Sequence, residues 1–118
     1  MQSTVIGTRI RDNLVVALPV DLAGGRLNEV RMVTLEHIST SQPRAVIFEC
    51  SGLRYLDQEE FEGLRQLSES VVMLGAKTGF IGLGAGVVKY LALTDANLTG
   101  VKAFLGLDDA LAYFSRNS

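Results

Sequence analysis

The sequence has little of what several classes of protein require. It contains one cysteine, one histidine and no tryptophan. Since a disulfide needs two cysteines, the single Cys50 excludes an intrachain disulfide and a metal site built from several cysteines. No apolar run approaches the roughly 20 residues of a membrane-spanning helix, and no cluster of lysines and arginines marks a nucleic-acid-binding surface. We therefore expect no bound metal, no membrane insertion and no nucleic-acid partner.

What remains is the composition of an ordinary globular domain. The 118 residues suit one domain with a hydrophobic core, and we assign residues 1–118 to a single domain. Apolar residues make up 47% and charged residues 20%, with a net charge of −2, which is typical of folded rather than disordered chains. Because the N-terminal stretch lacks the apolar core of a secretory signal peptide, the expected location is the cytoplasm.

Strand and helix patterns alternate along the chain. Runs of apolar and β-branched residues predict strands over 4–10, 14–18, 45–50, 78–83 and 101–105. Apolar spacings of three and four, bounded by turn residues, predict helices over 26–39, 57–74, 87–93 and 108–114. The order predicts an α/β fold with a mixed, mostly parallel sheet of about five strands covered by about four helices.

The most informative stretch of the sequence is 46–74. The strand at 45–50 is followed by the turn-forming step Ser51-Gly52, and Asp57 then begins an amphipathic helix. This order places a helix N-terminus beyond the carboxyl end of a strand, where α/β proteins tend to bind ligands. An aspartate here caps a helix with about 1 kcal/mol of stabilisation. Asp57 is therefore either a helix cap or part of an acidic docking surface.

The motifs of this chain resemble those of STAS domains, the anti-anti-sigma-factor family, over nearly its whole length. They are Asp21-Leu22, Glu49-Cys50-Ser51-Gly52, Asp57, Gly82-Leu83-Gly84 and Leu98-Thr99-Gly100. The last two look most like the stressosome branch of the family, the RsbS type. The resemblance implies the STAS fold and a non-enzymatic protein that controls an alternative sigma factor or stress signalling.

The resemblance also implies partners, namely a switch serine kinase of the RsbT type and paralogous STAS proteins, in a homo- or hetero-oligomer. The implied partner-binding residues are Asp21, Ser51, Gly52, Asp57, Gln58, Glu59, Glu60 and Glu62. The family carries a phosphate-accepting serine or threonine directly after the acid at the helix start. Gln58 occupies that position here and accepts no phosphate. Either the site is fixed in its unphosphorylated state or the switch has moved. Ser51 is a nearby hydroxyl, although a Ser-Gly step more often forms a turn.

The sequence is also compatible with other functions. STAS domains also serve as cytosolic accessory subunits of lipid or anion transporters. A receiver-like phosphoacceptor domain is disfavoured, because a hairpin opens the chain and no pair of acids follows its first strand. The glycines at 82–86 do not form the G-x-G-x-x-G fingerprint and predict a tight turn, so we expect no cofactor. Cys50 is expected to be an inert core thiol, and His37 a surface or half-buried helical residue.

Overall fold

The computed structural model describes residues 5–93 and 101–116. The elements in chain order are β1 Ile6–Ile10, β2 Asn13–Ala17, α1 Arg26–Ser41, β3 Ala45–Glu49, α2 Gln58–Met73, β4 Lys77–Ile81, α3 Ala85–Leu93, β5 Ala103–Phe104 and α4 Leu107–Arg116. This order confirms the predicted succession of strands and helices. The motif Leu98-Thr99-Gly100 and the predicted first strand residue Thr4 lie outside the described residues.

The described strands form one sheet in the order β1-β2-β3-β4-β5. β1 and β2 are antiparallel, and the other neighbouring pairs are parallel. β3 is apolar at four successive positions because it lies between β2 and β4 with both of its faces covered. The structure thus confirms the predicted α/β fold with a mixed, mostly parallel sheet.

The helices divide unequally between the two faces of the sheet. The larger core joins α1, α2 and α3 to one face, where Phe48 and Phe80 stack with ring centroids 5.3 Å apart. The smaller core joins α4 to the other face around Ile47, Ile81 and Phe114. Since α2 buries Phe61 and four further residues along one stripe, its opposite side is available to solvent.

The carboxyl ends of β2, β3 and β4 lie at one edge of the sheet because these strands are parallel. Backbone hydrogen bonds join the loops that follow them. The Cys50 N–H donates to the Ile81 carbonyl at 2.8 Å, and the Arg54 N–H donates to the Val20 carbonyl at 2.8 Å. The loop that leads into α2 is therefore hydrogen-bonded both to the end of β4 and to the loop after β2.

The helix α2 ends at Met73, one residue before the predicted boundary at 74, and Leu74 is its C-cap. Gly75 adopts φ 99°, the left-handed conformation that glycine tolerates best. The Gly75 N–H donates to the Val72 carbonyl at 3.0 Å, and the Ala76 N–H donates to the Val71 carbonyl at 3.2 Å. This pair of hydrogen bonds is a Schellman motif, which satisfies two carbonyls at the helix end.

A buried hydroxyl in α1 provides the first testable prediction. Thr34 is fully buried, and its Oγ1 has no hydrogen-bond partner in the described part of the chain. Because desolvating such a hydroxyl is costly, Thr34→Val should raise the free energy of unfolding by about 1 kcal/mol. Urea-induced unfolding measures the change. Thr40→Val is the control, since the Thr40 hydroxyl is exposed and donates to the Glu36 carbonyl. A loss of stability in Thr34→Val would contradict the prediction.

Candidate functional site

The first turn of α2 is closed by a reciprocal capping box. Asp57 Oδ1 accepts from the Glu60 N–H at 2.7 Å, and the Asp57 N–H donates to Glu60 Oε1 at 3.1 Å. The capping role considered for Asp57 is therefore confirmed, and Glu60 shares it. Gln58 and Glu59 are exposed and take no part in the box. They are the side chains of this turn that are most available to another molecule.

Glu62 lies one turn further along α2 and is engaged by its own helix. The guanidinium of Arg65 donates to both carboxylate oxygens of Glu62 and also to Glu69. Hydrogen bonds from Arg65 hold the pKa of the Glu62 carboxyl below its ordinary value. The bidentate pair fixes the Glu62 side chain against its own helix, and the group of Glu62, Arg65 and Glu69 keeps one net negative charge because one arginine serves two carboxylates.

Ser51 and Gly52 form a turn beyond β3, as their sequence predicts. The Leu53 N–H donates to the Cys50 carbonyl at 3.0 Å across this turn. The Ser51 hydroxyl donates to one oxygen of the Glu49 carboxylate, and the Ser51 N–H donates to the other at 2.9 Å. A phosphate on Ser51 would lie against this carboxylate and be repelled by it. The geometry therefore favours a structural role for Ser51.

Gly82, directly after β4, packs against the Glu49 carboxylate and the Ser51 backbone. Its φ of 74° lies in the left-handed region, and a β-carbon on it would stand 2.6 Å from Glu49 Oε2 and 2.8 Å from the Ser51 nitrogen. The tight turn predicted at this glycine is present. We refer to Glu49, Ser51 and Gly82 as the rim contact, because together they hold the ends of β3 and β4 at the edge that carries α2.

Asp21 belongs to the loop before α1. Its Oδ1 accepts from the Ala23 N–H at 3.0 Å and from the Arg26 guanidinium at 3.1 Å. These contacts fix the entry to α1. Asp21 follows β2 and so lies at the same edge of the sheet as the start of α2, but its carboxylate is engaged by Ala23 of its own loop and by Arg26 of α1.

Two clefts flank the first turn of α2. One has a volume of about 870 Å³ and is lined by Leu27, Arg31, Asp57, Gln58, Glu59, Phe61, Glu62, Gly63, Gln66 and Tyr90. The other has a volume of about 610 Å³ and is lined by Arg54, Tyr55, Leu56, Asp57, Glu60, Gly84, Gly86, Val87 and Tyr90. Tyr55 is 71% exposed and Tyr90 is 44% exposed. The acidic turn is thus bordered by aromatic rings and by an arginine on each side.

Sequence reasoning did not assign Arg31, Arg54 or Tyr55 to this surface. They belong to α1 and to the loop before α2, and no local motif marks them. The only signal that could have found them is the prediction that α1 and the loop after β3 meet at one edge of the sheet.

The cysteine and the histidine of the chain lie away from the first turn of α2. Burial, and after it the negative charge of Glu49, raises the pKa of the Cys50 thiol to about 12, so the thiolate is scarce at neutral pH. His37 is half-buried on α1, beside Gly7. Within residues 5–93 and 101–116, no group of three or more acidic, histidine or cysteine side chains is placed to hold a metal ion. No helix in those ranges is both long and apolar enough to cross a bilayer.

Comparison with known proteins identifies the fold. No family model and no curated protein matches the sequence. Among solved structures, a serine-to-glutamate variant of RsbS from Moorella thermoacetica is similar, with a TM-score of 0.81 at 21% identity over 98% of this chain and 97% of that chain. The anti-sigma factor antagonist SpoIIAA in its unphosphorylated form gives a TM-score of 0.71 at 12% identity over 98% of each chain.

A part of a much longer protein is also similar. The murine Slc26a9 anion transporter gives a TM-score of 0.72 at 18% identity, covering 93% of this chain and 19% of that chain. These likenesses define the class of fold: the chain has the STAS fold, as its motifs implied. These similarities do not show which residues bind a partner, since fold alone does not determine function.

Proposed function

We propose that this chain is a cytoplasmic, non-enzymatic STAS regulatory protein that acts in the control of an alternative sigma factor or of stress signalling. Its partners are a switch serine kinase of the RsbT type and paralogous STAS proteins. The observation that carries the proposal is the first turn of α2, where exposed Gln58 and Glu59 stand between two clefts while Asp57 and Glu60 hold the helix start. The STAS fold shared with RsbS and SpoIIAA supports it.

The surface around the first turn of α2, which we call the docking surface, combines exposed aromatic area with a negative charge. Tyr55 and Tyr90 offer exposed aromatic area of the kind that anchors interfaces. Glu59 adds an exposed negative charge that steers a basic partner surface toward the turn. Since Gln58 accepts no phosphate, this surface is held in a single charge state, and the protein acts as a constant binding platform.

Charge reversal at Glu59 tests the docking surface. Glu59→Lys should weaken binding to a purified RsbT-type kinase from the same genome by roughly tenfold, because it replaces an attraction with a repulsion. Isothermal titration calorimetry measures the dissociation constant. Glu60 is a poorer target, because its carboxylate belongs to the capping box.

Asp108→Lys is the matched control for this variant. Asp108 is the second residue of α4, as Glu59 is of α2, and both are exposed. The two variants therefore lose a similar helix-dipole stabilisation of about 0.3–1 kcal/mol. α4 covers the other face of the sheet, so the kinase should bind Asp108→Lys as it binds the wild type. Equal affinities for the two variants would overturn the assignment of the surface.

A second candidate function rests on the likeness to the transporter. The STAS fold forms a minor part of the Slc26a9 chain, so an accessory subunit of a lipid or anion transporter is the alternative. Genes adjacent to that of this chain distinguish the two, because permease genes favour the transporter role and sigma-factor regulators favour the proposed one. The receiver-like alternative is disfavoured by the sheet, whose order and antiparallel β1 differ from the doubly wound arrangement of receivers.

A further inference from the structure

A cleft of distinct chemistry, separate from the two that flank the start of α2, lies beside the first half of β4. It has a volume of about 300 Å³ and is lined by Val72, Ala76, Lys77, Thr78, Lys102, Tyr113 and Phe114. Among the described residues, the register of β5 with β4 joins Phe80 to Ala103 and Ile81 to Phe104, and the cleft lies beside the part of β4 that precedes these pairs. We call Lys77, Thr78, Lys102 and Tyr113 the lysine pocket.

Two positive charges converge on one phenol in the lysine pocket. Lys102 Nζ donates to the Tyr113 hydroxyl at 2.6 Å and lies 4.6 Å from the centre of its ring. The hydrogen bond from Lys102, and then the charges of Lys102 and Lys77, lower the pKa of Tyr113. In the described part of the chain, the ion pairs of the structure involve neither lysine. The positive charge of the pocket is therefore not neutralised by a carboxylate there.

The backbone of β4 adds a further donor. The Phe80 N–H donates to the Lys102 carbonyl at 2.8 Å, so amides at this parity of β4 point toward the β5 side. Because strand residues alternate with a period of two, the Thr78 N–H points to the same side, before the ladder to β5 begins. Among the described residues, the pocket thus brings together two ammonium groups, the Tyr113 hydroxyl that accepts from Lys102, and the Thr78 amide.

We propose that the lysine pocket binds the phosphate group of a small molecule. Ammonium groups and backbone amides are donors that oxyanions prefer, and paired lysines match the double negative charge of phosphate. The volume of about 300 Å³ holds a phosphate group with a short substituent. The pocket is built from β4, Lys102 directly before β5, α4 and the end of α2, whereas the docking surface lies at the start of α2. This inference does not depend on the proposed function.

Nuclear magnetic resonance titration of the full chain tests the site. Inorganic phosphate, glycerol 3-phosphate and acetate are added separately at constant ionic strength. We expect saturable shifts of the Thr78 and Lys102 amides with the two phosphates but not with acetate. Tighter binding of glycerol 3-phosphate identifies a phosphate monoester as the ligand class, and tighter binding of inorganic phosphate identifies the free ion. Non-saturable shifts that are equal for phosphate and acetate would overturn the proposal.

Lysine variants locate the binding and provide its control. Lys102→Met and Lys77→Met should each weaken phosphate binding by about tenfold or more. Lys89→Met should leave it unchanged, because Lys89 is an exposed lysine of α3 outside the pocket. Bound phosphate should also return the pKa of Tyr113 toward its ordinary value, since it offsets the charge of both lysines. An equal loss in Lys89→Met and Lys102→Met would contradict the site, and Lys77→Met keeps the test valid if Lys102→Met fails to fold.

Discussion

Replacing Gly82 with alanine is expected to lower the free energy of unfolding by roughly 3 kcal/mol. One part of this loss is backbone strain, because Gly82 has φ 74° and an L-residue is disfavoured there by about 1–2 kcal/mol. The other part is steric. The new β-carbon would lie 2.8 Å from the Ser51 nitrogen, a backbone atom that is held in the turn after β3. Relief of this clash requires the rim contact to open.

Two other glycines separate these contributions. Gly75 has φ 99° with no atom near its missing β-carbon, so Gly75→Ala carries the strain alone and should cost about 1 kcal/mol. Gly84 has neither a positive φ nor a close neighbour, so Gly84→Ala should stay within about 0.5 kcal/mol of the wild type. Urea-induced unfolding followed by circular dichroism ranks the three variants. A Gly82→Ala variant as stable as Gly75→Ala would show that the rim contact contributes nothing.

The start and end of α2 could be predicted from the sequence because their signals are local. Asp57 and Glu60 are three residues apart, which is the spacing of a capping box, and Gly75 follows the last apolar residue of the stripe. Each feature acts within one turn of the helix, so no tertiary contact decides it. The same holds for the turn at Ser51-Gly52.

The surroundings of α2 could not be predicted in the same way. Arg31 is distant in the chain and lies beside the first turn only because α1 packs against α2 on one face of the sheet, whereas Tyr55 belongs to the loop that leads into α2. The lysine pocket depends on a further detail. Residues 101–105 predict a five-residue strand, whereas β5 spans Ala103–Phe104, so within the described ranges β5 does not pair with Thr78 of β4. Strand length here follows from pairing geometry, which residue preference does not specify.

Introducing a hydroxyl at position 58 should make the start of α2 a phosphate acceptor. Gln58 is the exposed first residue of α2, and the amides of a first helical turn stabilise a phosphate placed there. We expect Gln58→Ser to gain one phosphate group when it is incubated with an RsbT-type kinase and ATP, while the wild type gains none. Intact-protein mass spectrometry measures the increase, and peptide fragmentation assigns it to the residue.

Gln66→Ser is the matched control for this gain. Gln66 is an exposed glutamine in the middle of α2, where the backbone amides are engaged in the helix and none is available to a phosphate. Gln66→Ser should stay unmodified. This result would show that phosphorylation depends on position 58 and not merely on an exposed serine in α2. If the kinase binds Gln58→Ser without modifying it, the docking surface is supported, but it does not place residue 58 in the kinase active site. If the kinase binds neither Gln58→Ser nor the wild type, the proposed partner is wrong.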